Sequence, residues 1–179
     1  VMEYKSGNVF ILISKLSLRR YIITNILTAT IIGGIINSMP VILYLIRIII
    51  KKGVNGASAF SSAWPVYLLP EMYEEQPLAY AFMLLSAIFV CGAVFSLLSL
   101  GVAAIFNQIY LAIILPEIYY IGSAVAFGSN IRFKCFDATT LYVLNNNPQP
   151  DLIVSIMYAG CLSLIGIILF VIGVYKNVE

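Results

Sequence analysis

Glu117 has the clearest capacity for chemistry in this sequence, because it follows Pro116 inside a long apolar run. A charged residue at the centre of a bilayer costs about 2.5–3.5 kcal/mol on insertion scales, so it usually faces a helix-bundle interior or a cavity. Pro116 lacks a backbone N–H and opens the helix wall beside the carboxyl group. Glu117 is therefore predicted to line a pathway or to couple motion. In the alternative interpretation, the carboxyl group lies near enough to one face to reach water, or stays protonated.

Other side chains that commonly do chemistry are scarce or isolated. The chain contains no His, which excludes His-based acid–base catalysis and Ser-His hydrolysis and disfavours a zinc site. Cys91 and Cys161 lie in apolar runs and Cys135 in a loop, so no disulfide framework is indicated. Asp137 and Asp151 belong to a polar loop and do not form the paired carboxylates of an intramembrane aspartyl protease. The sequence lacks a phosphate-binding loop, and we predict a non-enzymatic chain that binds no cofactor or metal.

The composition places these residues in an integral membrane protein. Hydrophobic residues make up 61% of the 179-residue chain and charged residues only 10%. Soluble domains carry about 25% charged and about 45–50% apolar residues. The net charge of +2 is too small to indicate nucleic acid as a partner. The predicted partner is therefore the lipid bilayer itself.

Four apolar runs are long enough to cross a hydrocarbon layer, which requires about 20 residues each. The predicted spans cover about 21–46, 78–103, 108–127 and 152–175, within a single transmembrane domain of residues 1–179. Two larger polar loops, about 51–77 and 128–150, lie on one side of the membrane. Gly33, Gly34 and Pro40 interrupt the first run and predict close helix packing or a kink. The fold class predicted is an all-α polytopic bundle of four transmembrane helices.

The segment before the first span is half polar and half apolar. Asn8 can cap a helix after the flexible Gly7, and apolar residues then recur at helical spacing. Arg19 and Arg20 follow, immediately before the apolar run. We predict an interfacial helix over residues 3–17 with the two arginines at the lipid headgroups. From the residues alone, this helix either merely anchors the first span or docks a partner.

The same segment resembles the one that precedes the third span in permeases of type-2 ABC exporters, which include drug, polysaccharide and peptide-antibiotic exporters. The family pattern is an acidic residue, a Gly, an apolar stripe, a small-plus-basic group, and Tyr-Ile at the start of the span. The corresponding positions are Glu3, Gly7, Phe10 to Ile13, Ser17 with Arg19 and Arg20, and Tyr21 with Ile22. Asn25 departs from the pattern, since such permeases often carry a Lys there.

A second similarity lies at the turn between the second and third runs. It resembles the hairpin between the fourth and fifth spans of bacterial members, with Asn107 at the turn and Pro116 midway along the next helix. Glu117 departs from that pattern, because an apolar residue is usual there. The resemblance covers nearly the whole chain and implies the last four of six spans, with about two spans missing upstream. That implication agrees with Val at position 1.

The resemblance implies that the interfacial helix is cytoplasmic and docks on an ATP-binding subunit. The implied coupling residues are Glu3, Gly7, Phe10, Leu12, Arg19 and Arg20. It also implies a bacterial plasma-membrane protein with both termini cytoplasmic, although the lysines and arginines near the span ends number five on each side and do not orient the chain.

The function implied is half of a translocation path for an amphipathic peptide, lipid-like molecule or drug. A second permease copy or a related permease would form the other half. The alternative is a membrane anchoring or assembly subunit of a larger complex, without a transport role.

Overall fold

The computed structural model describes residues 17–53, 69–129, 131–142 and 152–178, and every regular element in these ranges is a helix. The predicted all-α polytopic bundle is confirmed for these ranges, whereas the predicted interfacial helix lies outside them except for Ser17, which precedes the first helix. The elements, in chain order, are α1 (Leu18–Lys52), α2 (Pro70–Glu75), α3 (Pro77–Phe106), α4 (Ile109–Phe127), a 3-10 helix (Ile131–Phe136), α5 (Thr139–Tyr142) and α6 (Leu152–Val178).

The four long helices are long and apolar enough to cross a membrane. They contain 35, 30, 19 and 27 residues for α1, α3, α4 and α6. At 1.5 Å per residue α1 spans roughly 50 Å, whereas the hydrocarbon layer is about 30 Å thick. Such a helix must tilt or extend into the headgroup region. The exposed Arg47 and Lys51 near its C-terminal end suit the second arrangement, because long basic side chains reach the interface.

Helix α3 is the centre of the bundle. It packs against α1, α4 and α6, whereas α1 and α6 touch each other only slightly. The buried residues of α3 include Cys91, Val94, Leu97 and Leu98, which accounts for much of the core. The start of α1, the α3–α4 turn and the end of α6 lie together, and we call this the turn end of the bundle. The opposite end, with α2, the 3-10 helix and α5, is called the loop end.

Small residues allow the backbones of neighbouring helices to approach closely. A Cβ atom added to Gly166 of α6 would lie 2.7 Å from the carbonyl carbon of Leu97 in α3. One added to Gly173 would lie 2.6 Å from the carbonyl carbon of Ala104. Interfaces of small residues are the usual means of packing helices in membranes, where lipid tails are as apolar as Leu side chains. The glycines of α6 therefore allow the backbones of α3 and α6, which run parallel, to pack in direct contact.

The contact between α1 and α3 combines small residues with hydrogen bonds. A Cβ atom on Gly33 would lie 2.9 Å from the carbonyl oxygen of Gly92. Asn37 donates from Nδ2 to the carbonyl oxygen of Ile88 at 2.9 Å. Interhelical hydrogen bonds of this kind help to hold membrane helices together.

An asparagine pair closes the turn end. Asn107 ends α3 in the left-handed conformation with φ 52°, which Asn adopts more readily than most residues. Its Nδ2 donates to Oδ1 of Asn177 at 2.7 Å. Asn177 in turn donates to the carbonyl oxygens of Ala104 at 2.8 Å and Gly173 at 2.6 Å. This pair fixes the tight turn against the last helix.

We expect Asn177→Leu to lower the free energy of unfolding by about 1–3 kcal/mol, because the partly buried polar groups of the turn lose their partner. Reversible unfolding in mixed micelles, followed by circular dichroism, measures the change. Tyr175→Leu is the control, since the Tyr175 side chain is exposed on the same helix. Equal stability of the Asn177 and Tyr175 variants would contradict a structural role for the asparagine pair.

Candidate functional site

A cleft between α3 and α4 contains Glu117. Its volume is about 380 Å³, and it lies within the membrane-spanning part of both helices. Glu117 is close to the middle of α4, roughly 12 Å along the helix axis from Ile109. The lining residues are Phe95, Ser96 and Ser99 from α3, and Ile113, Pro116, Glu117 and Tyr120 from α4.

The Glu117 carboxyl group has no partner among the described residues: it makes neither a hydrogen bond nor an ion pair there. Its side chain is exposed at the cleft, not packed into the core. A carboxylate at this depth needs water, a proton or a positive charge, because the hydrocarbon layer does not solvate it. Water, a proton or a cation would reach the Glu117 carboxyl group through the cleft.

The walls of the cleft combine hydroxyl groups with aromatic rings. Ser96 donates its hydroxyl to the carbonyl oxygen of Ala29, which ties this wall to α1. The rings of Phe95 and Tyr120 meet edge to face, with centroids 5.8 Å apart and planes at 77°. This geometry is the favoured one for aromatic pairs and fixes both rings at the cleft.

Pro116 is buried beside Glu117 and lies inside α4. Its ring replaces the backbone N–H that would donate to the carbonyl oxygen of Ala112. Such interruptions are tolerated in membrane helices where neighbouring helices or water compensate for the lost hydrogen bond. The interruption and the carboxyl group therefore fall at the same level of the helix.

Gly33 and Gly34 do not line this cleft; both lie in the contact between α1 and α3. A Cβ atom on Gly34 would meet the ring of Phe89, with Cζ 2.6 Å away. Their place in the structure is therefore that of packing residues. Pro40 lies farther along α1, which continues through it as a helix to Lys52.

The docking residues expected from the resemblance fall in two groups. Glu3, Gly7, Phe10 and Leu12 lie outside the described residues. Arg19 and Arg20 begin α1 at the turn end, and both side chains are exposed.

The residue that follows the arginines, Tyr21, is almost fully buried against the other helices. It belongs to a cluster with Ala104 of α3 and with Phe170 and Val174 of α6. The start of α1 is thus firmly attached to two other helices.

A second cleft, which the sequence did not indicate, separates α3 from α6 near the loop end. Its volume is about 440 Å³. The lining is mostly aliphatic, with Cys91, Ser155 and Ser163 among the few other side chains. Because lipid tails surround the two helices that form this cleft, an apolar molecule would fit it best.

Hydrogen bonds order the loop end around Asp137. This carboxylate is buried and accepts from the backbone N–H of Thr139 at 2.9 Å and from its hydroxyl at 2.7 Å. The next residue, Ala138, donates its N–H to Oγ of Ser123 in α4 at 3.0 Å. Asp137 therefore caps the start of α5, while the Ala138 N–H attaches the connecting segment between α4 and α6 to α4.

A tyrosine pair joins the middle of α4 to α6 and to the 3-10 helix. The hydroxyl groups of Tyr119 and Tyr158 are hydrogen-bonded to each other, and Tyr158 donates to the carbonyl oxygen of Phe136 at 2.9 Å. Nothing in a single sequence brings together residues on separate helices.

The fold and the cleft define a multi-pass α-helical membrane protein with a carboxyl group inside its spanning region. No family model, no curated protein and no solved structure matches this chain. Within the described ranges, no three His, Cys, Asp or Glu side chains are placed to hold a metal ion together.

Proposed function

We propose that the chain is a membrane-spanning subunit of an ATP-driven exporter and forms half of the path for an amphipathic substrate. The observation that carries this proposal is the α3–α4 cleft with Glu117 at mid-span. Ionisable residues inside a membrane are costly, and they commonly mark substrate or ion pathways. A subunit that only anchors other proteins has no need of such a residue.

The energy source is proposed from the resemblance to type-2 ABC exporter permeases. A separate subunit would hydrolyse ATP and act on the segment before Leu18, where Glu3, Gly7, Phe10 and Leu12 lie. The burial of Tyr21 against α3 and α6 supports the coupling, because a force on that segment would reach both helices. The spans would then alternate between inward and outward access, or extrude the substrate laterally.

Both termini are proposed to face the cytoplasm of a bacterial cell, with the loop end outside. The four candidate spans among the described residues support this proposal, because an even number of crossings returns the chain to its starting side. The second half of the path would come from another permease copy or a related permease.

The orientation is tested by labelling single cysteines from outside intact cells. Cys135→Ser removes the native thiol of the connecting segment as background. A membrane-impermeant maleimide should then label Asn146→Cys and should leave Lys5→Cys and Lys176→Cys unlabelled until the membrane is permeabilised. Labelling of Lys5→Cys in intact cells would overturn the orientation.

The function is tested by purifying the full protein from its native membrane in a mild detergent. We expect a second chain with a phosphate-binding loop to co-purify, and we expect ATP hydrolysis in the preparation. Reconstitution into liposomes should give ATP-dependent movement of a fluorescent amphipathic peptide. A stable preparation with neither ATP hydrolysis nor transport would favour the anchoring role over the exporter.

A further inference from the structure

We propose that the α3–α4 cleft binds a hydrophobic organic cation, with the Glu117 carboxylate as its counter-ion. This inference rests on the proposed function, since it names the substrate class for the same site. The cation would be a protonated amine or a quaternary centre that carries an apolar body.

If a positive group pairs with the Glu117 carboxylate, it must come from outside the two helices. Helices α3 and α4 contain no Lys or Arg, and Glu117 is their only charged residue. All other described residues that line the cleft are uncharged. A carboxylate in a low-dielectric medium gains strongly from a nearby cation, because the interaction is far less screened than in water. A bound cation would meet this need at Glu117.

The neighbours of Glu117 on α4 suit the apolar body and the charge of such a molecule. Ile113 and Tyr120 lie four residues before and three residues after Glu117, so the three side chains share one helix face. Across the cleft, Phe95 supplies a second ring, fixed edge to face against Tyr120. Aromatic rings attract organic cations through their negative faces. The cleft therefore offers a carboxylate, two rings and an aliphatic surface together.

The size of the cleft argues against an inorganic ion as its intended occupant. Its volume of about 380 Å³ lies within the range of small-molecule pockets, about 300–1,000 Å³. A calcium ion takes 6–8 oxygen ligands. The lining provides one carboxyl group and the hydroxyl groups of Ser96, Ser99 and Tyr120, and Ser96 donates its hydrogen to Ala29.

The test measures binding of radiolabelled tetraphenylphosphonium to the full protein purified in detergent. We expect saturable binding to the unaltered protein and at least about a tenfold lower affinity for Glu117→Gln, as for a charge pair that loses one partner. Glu71→Gln is the matched control, because Glu71 is exposed on α2 and outside the cleft, and it should bind normally. Ser99→Phe fills the cleft without changing charge and should also prevent binding.

Each variant is first shown to be folded by its elution as a single species in gel filtration. Triphenylphosphine oxide, a neutral aromatic probe, should not displace the cation. Unchanged affinity in Glu117→Gln, or equal displacement by the neutral probe, would overturn the cation site. The test distinguishes the two proposals. Glu117-dependent binding without ATP-driven transport would contradict the exporter function and leave the cation site standing. ATP-driven transport without cation binding would contradict the cation as the substrate class and leave the exporter function standing.

Discussion

Gly166→Val is expected to separate α3 from α6 and to destabilise the bundle by about 3 kcal/mol, at the upper end of the usual cost of overpacking. The added side chain would start 2.7 Å from the carbonyl carbon of Leu97 and 2.8 Å from its oxygen. These are backbone atoms, so no rotation of a side chain can relieve the contact. The whole of α6 must move away from the central helix. Unfolding in mixed micelles, followed by circular dichroism, would give the change in free energy.

Gly160→Val provides a control on the same helix. A Cβ atom at Gly160 meets nothing within 4 Å, so the substitution should leave stability nearly unchanged. The pair of variants separates close approach of the backbones from the general effect of placing Val in a membrane helix. Equal stability of the two variants would show that the α3–α6 contact does not depend on Gly166.

The double change Phe10→Asp with Leu12→Asp is expected to abolish ATP-driven transport while the protein still inserts into the membrane. Two carboxylates would replace the apolar surface that is proposed to dock on the ATPase subunit, and desolvating them at the interface is costly. Both residues lie outside the described residues, and other side chains make the described contacts among α1, α3, α4 and α6, so that packing should not change. The measurements are the yield of the co-purified ATPase and the rate of transport in liposomes.

Phe10→Leu with Leu12→Ile is the conservative counterpart, because it keeps the segment apolar. This variant should retain both the ATPase and most of the transport rate. If the aspartate variant also retained them, the docking role of this segment would be wrong. If the conservative variant lost them as completely as the aspartate variant, apolar character would not be the property that matters.

Hydropathy was sufficient to predict the long helices, and α1, α3 and α6 extend beyond the predicted spans. The first span was predicted to end near residue 46, yet α1 continues to Lys52. Arg47 and Lys51 marked a boundary in composition, but a helix can carry basic side chains into the headgroup region without ending. The short elements α2 and α5 and the 3-10 helix were not predicted, because four to six residues are too few to show a clear periodicity.

The arrangement of the helices was beyond the sequence. All four spans are apolar around most of their circumference, so no amphipathic stripe indicates which faces pair. The central position of α3 depends on small residues such as Gly92 and Gly101, which a sequence marks only as glycines. Glu117 was identified because a charge is rare in such a run. Its cleft partners Phe95 and Ser99 carry no comparable signal, since aromatic and hydroxyl residues are frequent throughout the chain.

In mechanical terms, α4 is held at both ends and is most flexible near its middle. The short link through Asn107 holds one end, and the hydrogen bond of Ser123 attaches the other half to the segment that follows α4. The hydroxyl of Tyr119 joins the middle of α4 to α6. Pro116 removes stiffness between these supports, at the level where the cleft lies. If such a helix bends near its middle, the width of the α3–α4 cleft changes although the two helix ends stay in place. A bend at Pro116 would therefore change the volume beside Glu117.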